Sequence, residues 1–67
     1  MGVADVRIEN HGSLFLVRPQ NSTAREWIDD NVSVDGPWQW FGGALAVEGR
    51  YVVDLVNGMR QDGLVVR

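Results

Sequence analysis

The most apolar segment of the chain is Trp38-Gln39-Trp40-Phe41-Gly42-Gly43-Ala44-Leu45-Ala46-Val47. Residues 41–47 are apolar at odd and even positions alike, which is typical of a strand that is covered on both faces. The sequence therefore predicts one strand over 41–47. The Gly42-Gly43 pair within it indicates a β-bulge or a close approach by another element, because glycine weakens a regular strand.

Downstream of this segment, helical spacing of apolar residues predicts a second helix over Arg50–Gln61. The residues on its inward face are Tyr51, Val52, Leu55, Val56 and Met59. Gly63 is expected to end the helix in a left-handed conformation, and residues 64–66 are expected to form a last short strand. The strand-helix-strand unit over 41–66 is expected to be parallel, with a right-handed crossover.

Upstream, residues 5–9 alternate polar and apolar, and residues 13–17 are mostly apolar, so the two segments are expected to pair as a hairpin around Asn10-His11-Gly12. A first helix of about ten residues follows. Its candidate N-caps are Asn21, Ser22 and Thr23, and Thr23 with Glu26 has the spacing of a capping box. Trp27 is expected to dock this helix on the sheet, because an aromatic ring buries a large apolar area.

Together these elements predict a single α+β domain over residues 1–67, with the order β-β-α-β-α-β. The simplest arrangement is one mixed four-stranded sheet with both helices on one face. The other face of the sheet would then be uncovered within the monomer.

Composition narrows the possible functions. The 67 residues include no cysteine and one histidine, so neither a disulfide nor a metal site is expected, and we expect no cofactor. The net charge is -3 and the six basic residues, all arginines, are scattered, which argues against nucleic acid as the main partner. A chain this short has a small core and would gain from self-association, so a homodimer is possible.

No segment has the length of a membrane span, and the N-terminal residues do not read as a signal peptide, so we expect a cytoplasmic protein and no membrane partner. His11 and Ser13 are the one hint of catalysis, but both lie in an expected turn, and no acid is clearly placed to orient the ring. Gly42-Gly43 lacks the lysine and the further glycines of a phosphate-binding loop. We therefore predict a protein that is not an enzyme.

A spaced pattern runs through most of the chain: Glu9-Asn10-His11-Gly12-Ser13, Arg18-Pro19, Ala24-Arg25-Glu26-Trp27, Trp40-Phe41-Gly42-Gly43-Ala44-Leu45, Arg50-Tyr51-Val52 and Asp62-Gly63-Leu64. This pattern resembles a group of short uncharacterised proteins of bacterial mobile elements, prophages and plasmids. The resemblance assigns no catalytic or binding residue. It implies a context, in which small proteins bind and block host or rival machinery, including CRISPR effectors.

The candidate partner-binding residues have side chains suited to protein interfaces or to cationic grooves: Trp38, Trp40, Arg18, Arg50, Glu26, Asp29 and Asp30. Trp38 and Trp40 share one face of a strand. They belong either to the core or to an aromatic patch on the uncovered sheet face. The acidic residues of the first helix either contact a partner or form its solvated face.

The function predicted from these observations is a non-enzymatic protein–protein interaction module of a mobile genetic element, inhibiting host defence machinery in the manner of an anti-CRISPR protein. Its partner would be a protein, namely a bacterial host complex. Two alternatives stay open. One is a nucleic-acid-binding regulator that stacks bases on its aromatic side chains. The other is a self-assembling structural or accessory domain.

Overall fold

A computed structural model describes residues 4–32, 36 and 38–67. The elements in chain order are β1 (Val6–His11), β2 (Leu14–Pro19), α1 (Ser22–Asn31), β3 (Trp38–Phe41), β4 (Ala44–Glu48) and α2 (Gly49–Gln61). The strands form one antiparallel sheet in the order β1-β2-β4-β3. The predicted α+β class, with four strands and two helices, is confirmed. Most of the turn expected over residues 34–37 lies outside the described residues.

The segment predicted as one strand over 41–47 is a hairpin. Phe41 pairs with Ala44 and Trp40 with Leu45, so Gly42 and Gly43 form a two-residue turn between β3 and β4. Gly42 has φ +58°, a conformation that favours glycine and suits a tight turn between antiparallel strands. The expectation of a bulge was therefore wrong. The element order is β-β-α-β-β-α, and the four-stranded sheet is antiparallel rather than mixed.

Residues 64–67, expected to contain the fourth strand, lie instead beside β1 at the edge of the sheet. Val66 forms a single parallel bridge with Val6. Backbone hydrogen bonds join Ile8 N to Arg67 O at 2.8 Å and Arg67 N to Val6 O at 3.0 Å. Since β1 and β4 both run antiparallel to β2, this segment also runs parallel to β4, as the strand-helix-strand expectation required.

Both helices pack on the same face of the sheet, as predicted. Cross-strand pairing places Val17 of β2 beside Leu45 of β4 on this face. The cluster that these side chains form with both helices is buried: Val6, Val17, Ala24, Ile28, Val32, Leu45, Val47, Val52, Met59 and Leu64. Because one cluster joins residues of both helices to three strands, the domain has one core on the helical face.

The opposite face of the sheet, which we call the open face, is uncovered by any described element. Leu14 is 41% exposed and Phe41 is 56% exposed on it. Leu16, Ala44 and Ala46 share this face, because Leu16 pairs with Ala46 and Phe41 pairs with Ala44. The open face therefore carries apolar side chains of β2, β4 and β3 beside the charged residues of β1 and β2.

The helix ends follow from local chemistry. Asn21 is the N-cap of α1, and its Oδ1 accepts a hydrogen bond from Ala24 N at 2.9 Å. Thr23 lies inside the helix, so the predicted capping box does not form. At the end of α2, Gly63 N donates to Arg60 O and Leu64 N donates to Met59 O, the two bonds of a Schellman motif. Gly63 has φ +90°, which confirms its predicted left-handed conformation.

Candidate functional site

Trp38 and Trp40 of β3 lie on the helical face of the sheet. Both are half-buried and pack against the core. They pair with Val47 and Leu45 of β4, which face the helices, so the register carries the tryptophans to the same side. The alternative that placed them on the uncovered sheet face was therefore wrong. Phe41 occupies that face instead.

Each of these tryptophans is contacted by a helix. The guanidinium carbon of Arg25, in α1, lies 4.0 Å from the centroid of the Trp40 ring. The Trp38 ring meets Tyr51 of α2 edge to face, with centroids 6.2 Å apart and an interplanar angle of 87°. Contacts of both kinds are favourable beyond the apolar area that they bury. Trp38 and Trp40 thus have fixed surroundings on the helical face.

Trp27 links the two helices, a role wider than the docking expected of it. Its indole Nε1 donates to Asp62 Oδ2 at 2.5 Å, across the end of α2. The ring also lies on Gly58, where an added Cβ would come within 3.3 Å of Trp27 Cζ2. A glycine inside a helix costs about 1 kcal/mol relative to alanine. At position 58 the absence of a side chain allows the Trp27 ring of α1 to lie close to the backbone of α2.

These aromatic residues border a concave region between α1, α2 and β3, which we call the aromatic groove. Its volume is about 360 Å³, and it is lined by Trp27, Asn31, Trp38, Tyr51, Asp54, Leu55 and Gly58. The α2 residues among them recur at three- and four-residue spacing and so share one side of the helix. That spacing is visible in the sequence, and it is the signal that would have identified Tyr51 and Asp54.

The other predicted partner-binding residues are dispersed. Arg50 is close to the aromatic groove, with its guanidinium carbon 5.0 Å from the Tyr51 ring centroid and Nη2 3.5 Å from Glu48 Oε1. The acidic residues Glu26, Asp29 and Asp30 are exposed on α1, and Asp29 pairs with Arg25 at 3.4 Å. Arg18 lies on the opposite side of the sheet. Trp38 and Arg50 therefore both contact Tyr51. Asp29 is linked to Trp40 through Arg25, which lies over the Trp40 ring.

The open face carries a small polar network. Glu9 Oε2 accepts from Arg18 Nε at 2.7 Å, and Glu9 Oε1 lies 3.2 Å from His11 Nε2. An acid is thus placed beside the His11 ring, contrary to the sequence expectation. All three side chains are at least 41% exposed, so this network lies in solvent rather than in a pocket. Among the described residues, no group of three or more His, Asp or Glu side chains could hold a metal ion.

Two carboxylates make stability depend on pH. Backbone donation from Val65 N, and then the amide of Asn21, lower the pKa of Asp5. Hydrogen bonds from His11 and Arg18 lower the pKa of Glu9. Since both pKa values are depressed in the folded state, this stabilisation is present at neutral pH and is lost as pH falls below about 4, through the folded pKa values.

We therefore expect the urea midpoint of unfolding to fall on acidification from pH 6 to pH 3, because the Asp5 and Glu9 carboxylates become protonated. Asp5→Asn should lower the midpoint at pH 6 and flatten this dependence. Asp30→Asn serves as the control, because Asp30 is exposed on α1 and has no hydrogen bond or ion pair in the described parts of the chain. Equal pH profiles for wild type and Asp5→Asn would contradict the assignment.

Comparisons with known proteins found no matching family, no matching curated protein and no matching solved structure. In the part of the chain that is described, no helix is both long and apolar enough to cross a membrane.

Proposed function

We propose that this domain is a non-enzymatic protein–protein interaction module that binds its partner through the aromatic groove. The observation that supports this most directly is the convergence of Trp27, Trp38 and Tyr51 on one concave surface. Tryptophan and tyrosine are enriched among the residues that dominate binding energy at protein interfaces.

The geometry of the groove also favours binding. Trp27 is held by its hydrogen bond to Asp62, and Trp38 and Tyr51 support each other through their edge-to-face contact. Side chains that are already ordered lose less conformational entropy when a partner docks. The groove is therefore a preorganised surface that keeps part of its aromatic area accessible.

The finer proposal is that the partner is a bacterial host defence complex and that binding inhibits it, as an anti-CRISPR protein would. It is supported by the resemblance of the spaced sequence pattern to short mobile-element proteins. The net charge of -3 is compatible with docking on a cationic surface of such a complex, since opposite charges speed encounter and restrict the choice of partner.

The test uses two arginine substitutions on α2. Asp54→Arg places a cation in the aromatic groove, and Asn57→Arg places one at an exposed position of the same helix. Wild type and Asn57→Arg should retain a purified CRISPR effector complex on an affinity column and raise phage plating on an immune host. Asp54→Arg should do neither while keeping its circular dichroism spectrum.

Retention of the effector complex by all three proteins would show that the aromatic groove is not the binding surface. Failure of wild type to retain the complex or to protect phage, across the common system types, would remove the anti-CRISPR function.

Self-assembly is a second candidate, because the open face exposes Leu14 and Phe41 within the described part of the chain. Apolar patches of this kind commonly mark interfaces. A dimer formed through this face should show a mass that rises with concentration in the micromolar range, and Phe41→Glu should abolish that rise. Sedimentation of wild type as a monomer at every concentration would remove this candidate.

A further inference from the structure

We infer that the aromatic groove receives an arginine side chain of the partner, with the guanidinium against the aromatic rings and paired with the Asp54 carboxylate. This inference rests on the proposed protein-binding function and specifies its chemistry. The juxtaposition that carries it is one carboxylate beside three aromatic residues on the same concave surface.

The negative charge of Asp54 in the lining of the aromatic groove favours a cationic ligand. Among the lining residues that the structure describes, Asp54 is the one ionisable acid or base apart from the phenol of Tyr51. It is exposed, and no ion pair within the described ranges engages it. The nearby Asp62 carboxylate accepts from Trp27, and Arg50 is offset by Glu48. A cation entering the groove would therefore find an uncompensated carboxylate.

The aromatic walls favour the same ligand. The ring faces carry negative electrostatic potential, and a cation within about 6 Å of a ring centroid is attracted to it. Trp38 and Tyr51 already meet edge to face, so the guanidinium would lie beside this pair, against the rings that line the groove. The chain already uses this chemistry on the helical face, where Arg25 lies over Trp40 and Arg50 over Tyr51.

Arginine fits these features better than lysine. Its guanidinium is planar, stacks on aromatic rings, and can donate two parallel hydrogen bonds to one carboxylate. Asn31 also lines the groove, and its Nδ2 donates to Trp27 O at 2.8 Å. This leaves the side-chain carbonyl of Asn31 as a further acceptor for a ligand that carries several N–H groups.

The experiment titrates the folded protein with three blocked tripeptides, acetyl-Gly-X-Gly-amide, where X is arginine, lysine or citrulline. Citrulline keeps the planar shape of arginine and lacks its charge. Indole N–H resonances of Trp27 and Trp38 report on the aromatic groove, and Trp40 is an internal reference because it does not line the groove. We expect saturable shifts of Trp27 and Trp38 with arginine, weaker binding of lysine, and the weakest binding of citrulline.

Asp54→Asn should weaken the arginine peptide about tenfold and the citrulline peptide clearly less, because the ion pair with the carboxylate is lost only for arginine. Glu9→Gln removes the same charge from the opposite face and should leave both affinities unchanged. Equal binding of arginine and citrulline peptides, or no shift at any concentration, would overturn the inference. If the peptide titration gives either of these results and Asp54→Arg still loses the effector complex, the proposed protein-binding function is supported and only the arginine inference is overturned.

Discussion

Leu45→Ala should unfold much of the protein population at room temperature. Leu45 is fully buried at the centre of the sheet, between β2 and β3. Truncating a buried leucine costs about 2–5 kcal/mol, through lost transfer free energy and the cavity left behind. A 67-residue domain has only about 3–10 kcal/mol of total stability. Chemical denaturation followed by tryptophan fluorescence should show the midpoint fall by most of its wild-type value.

Leu14→Ala is the matched control for this substitution. It makes the same chemical change on a neighbouring strand, at a side chain that is 41% exposed on the open face. Its cost should be less than about 1 kcal/mol, since little apolar surface returns to water. Equal losses for the two leucines would contradict the placement of the core on the helical face.

A variant that ends at Gly63 should be largely unfolded. Residues 64–67 cover the outer edge of β1, with Val65 O accepting from Asp5 N and Val6 N. Removing them also deletes the hydrogen bond from Leu64 N to Met59 O and the buried Leu64 side chain. Each net hydrogen bond contributes about 0.5–1.5 kcal/mol and the leucine roughly 2 kcal/mol, so the sum approaches the stability of the domain.

Far-ultraviolet circular dichroism and amide hydrogen exchange of β1 would measure this loss. Arg67→Ala is the control, because Arg67 contributes its backbone to β1 and its side chain is exposed. This variant should stay within about 0.5 kcal/mol of wild type. A truncated protein with wild-type exchange protection in β1 would show that the C-terminal segment does not support the sheet.

Sequence patterns correctly predicted those elements whose conformation depends on residues close together in the chain. The apolar spacing in α2 predicted a helix within one residue of its observed start, because a helix satisfies its backbone over four residues. The positive φ of Gly63 followed from its place after Asp62 at the helix end. The first hairpin was also predicted from the sequence, because only two residues separate its strands.

The Gly42-Gly43 pair shows where local reasoning stops. Two glycines between apolar residues are compatible with a bulge inside one strand or with a turn between two strands. The choice depends on whether β3 finds a pairing partner in β4, which is a long-range property of the sheet. The aromatic groove was hidden for the same reason, because Trp27, Trp38 and Tyr51 are distant in sequence and meet only after both helices pack.

The amino-acid sequence alone determined the α+β class, both helices and the first hairpin. It also determined that helices cover one face of the sheet and leave the other uncovered. Each of these features follows from side-chain periodicity or from the backbone preference of single residues. Tertiary structure decided which face carries Trp38 and Trp40, and which aromatic residues share a groove with Asp54. The physical reason is that strand register and helix docking minimise the free energy of the whole core, and no short segment contains that information.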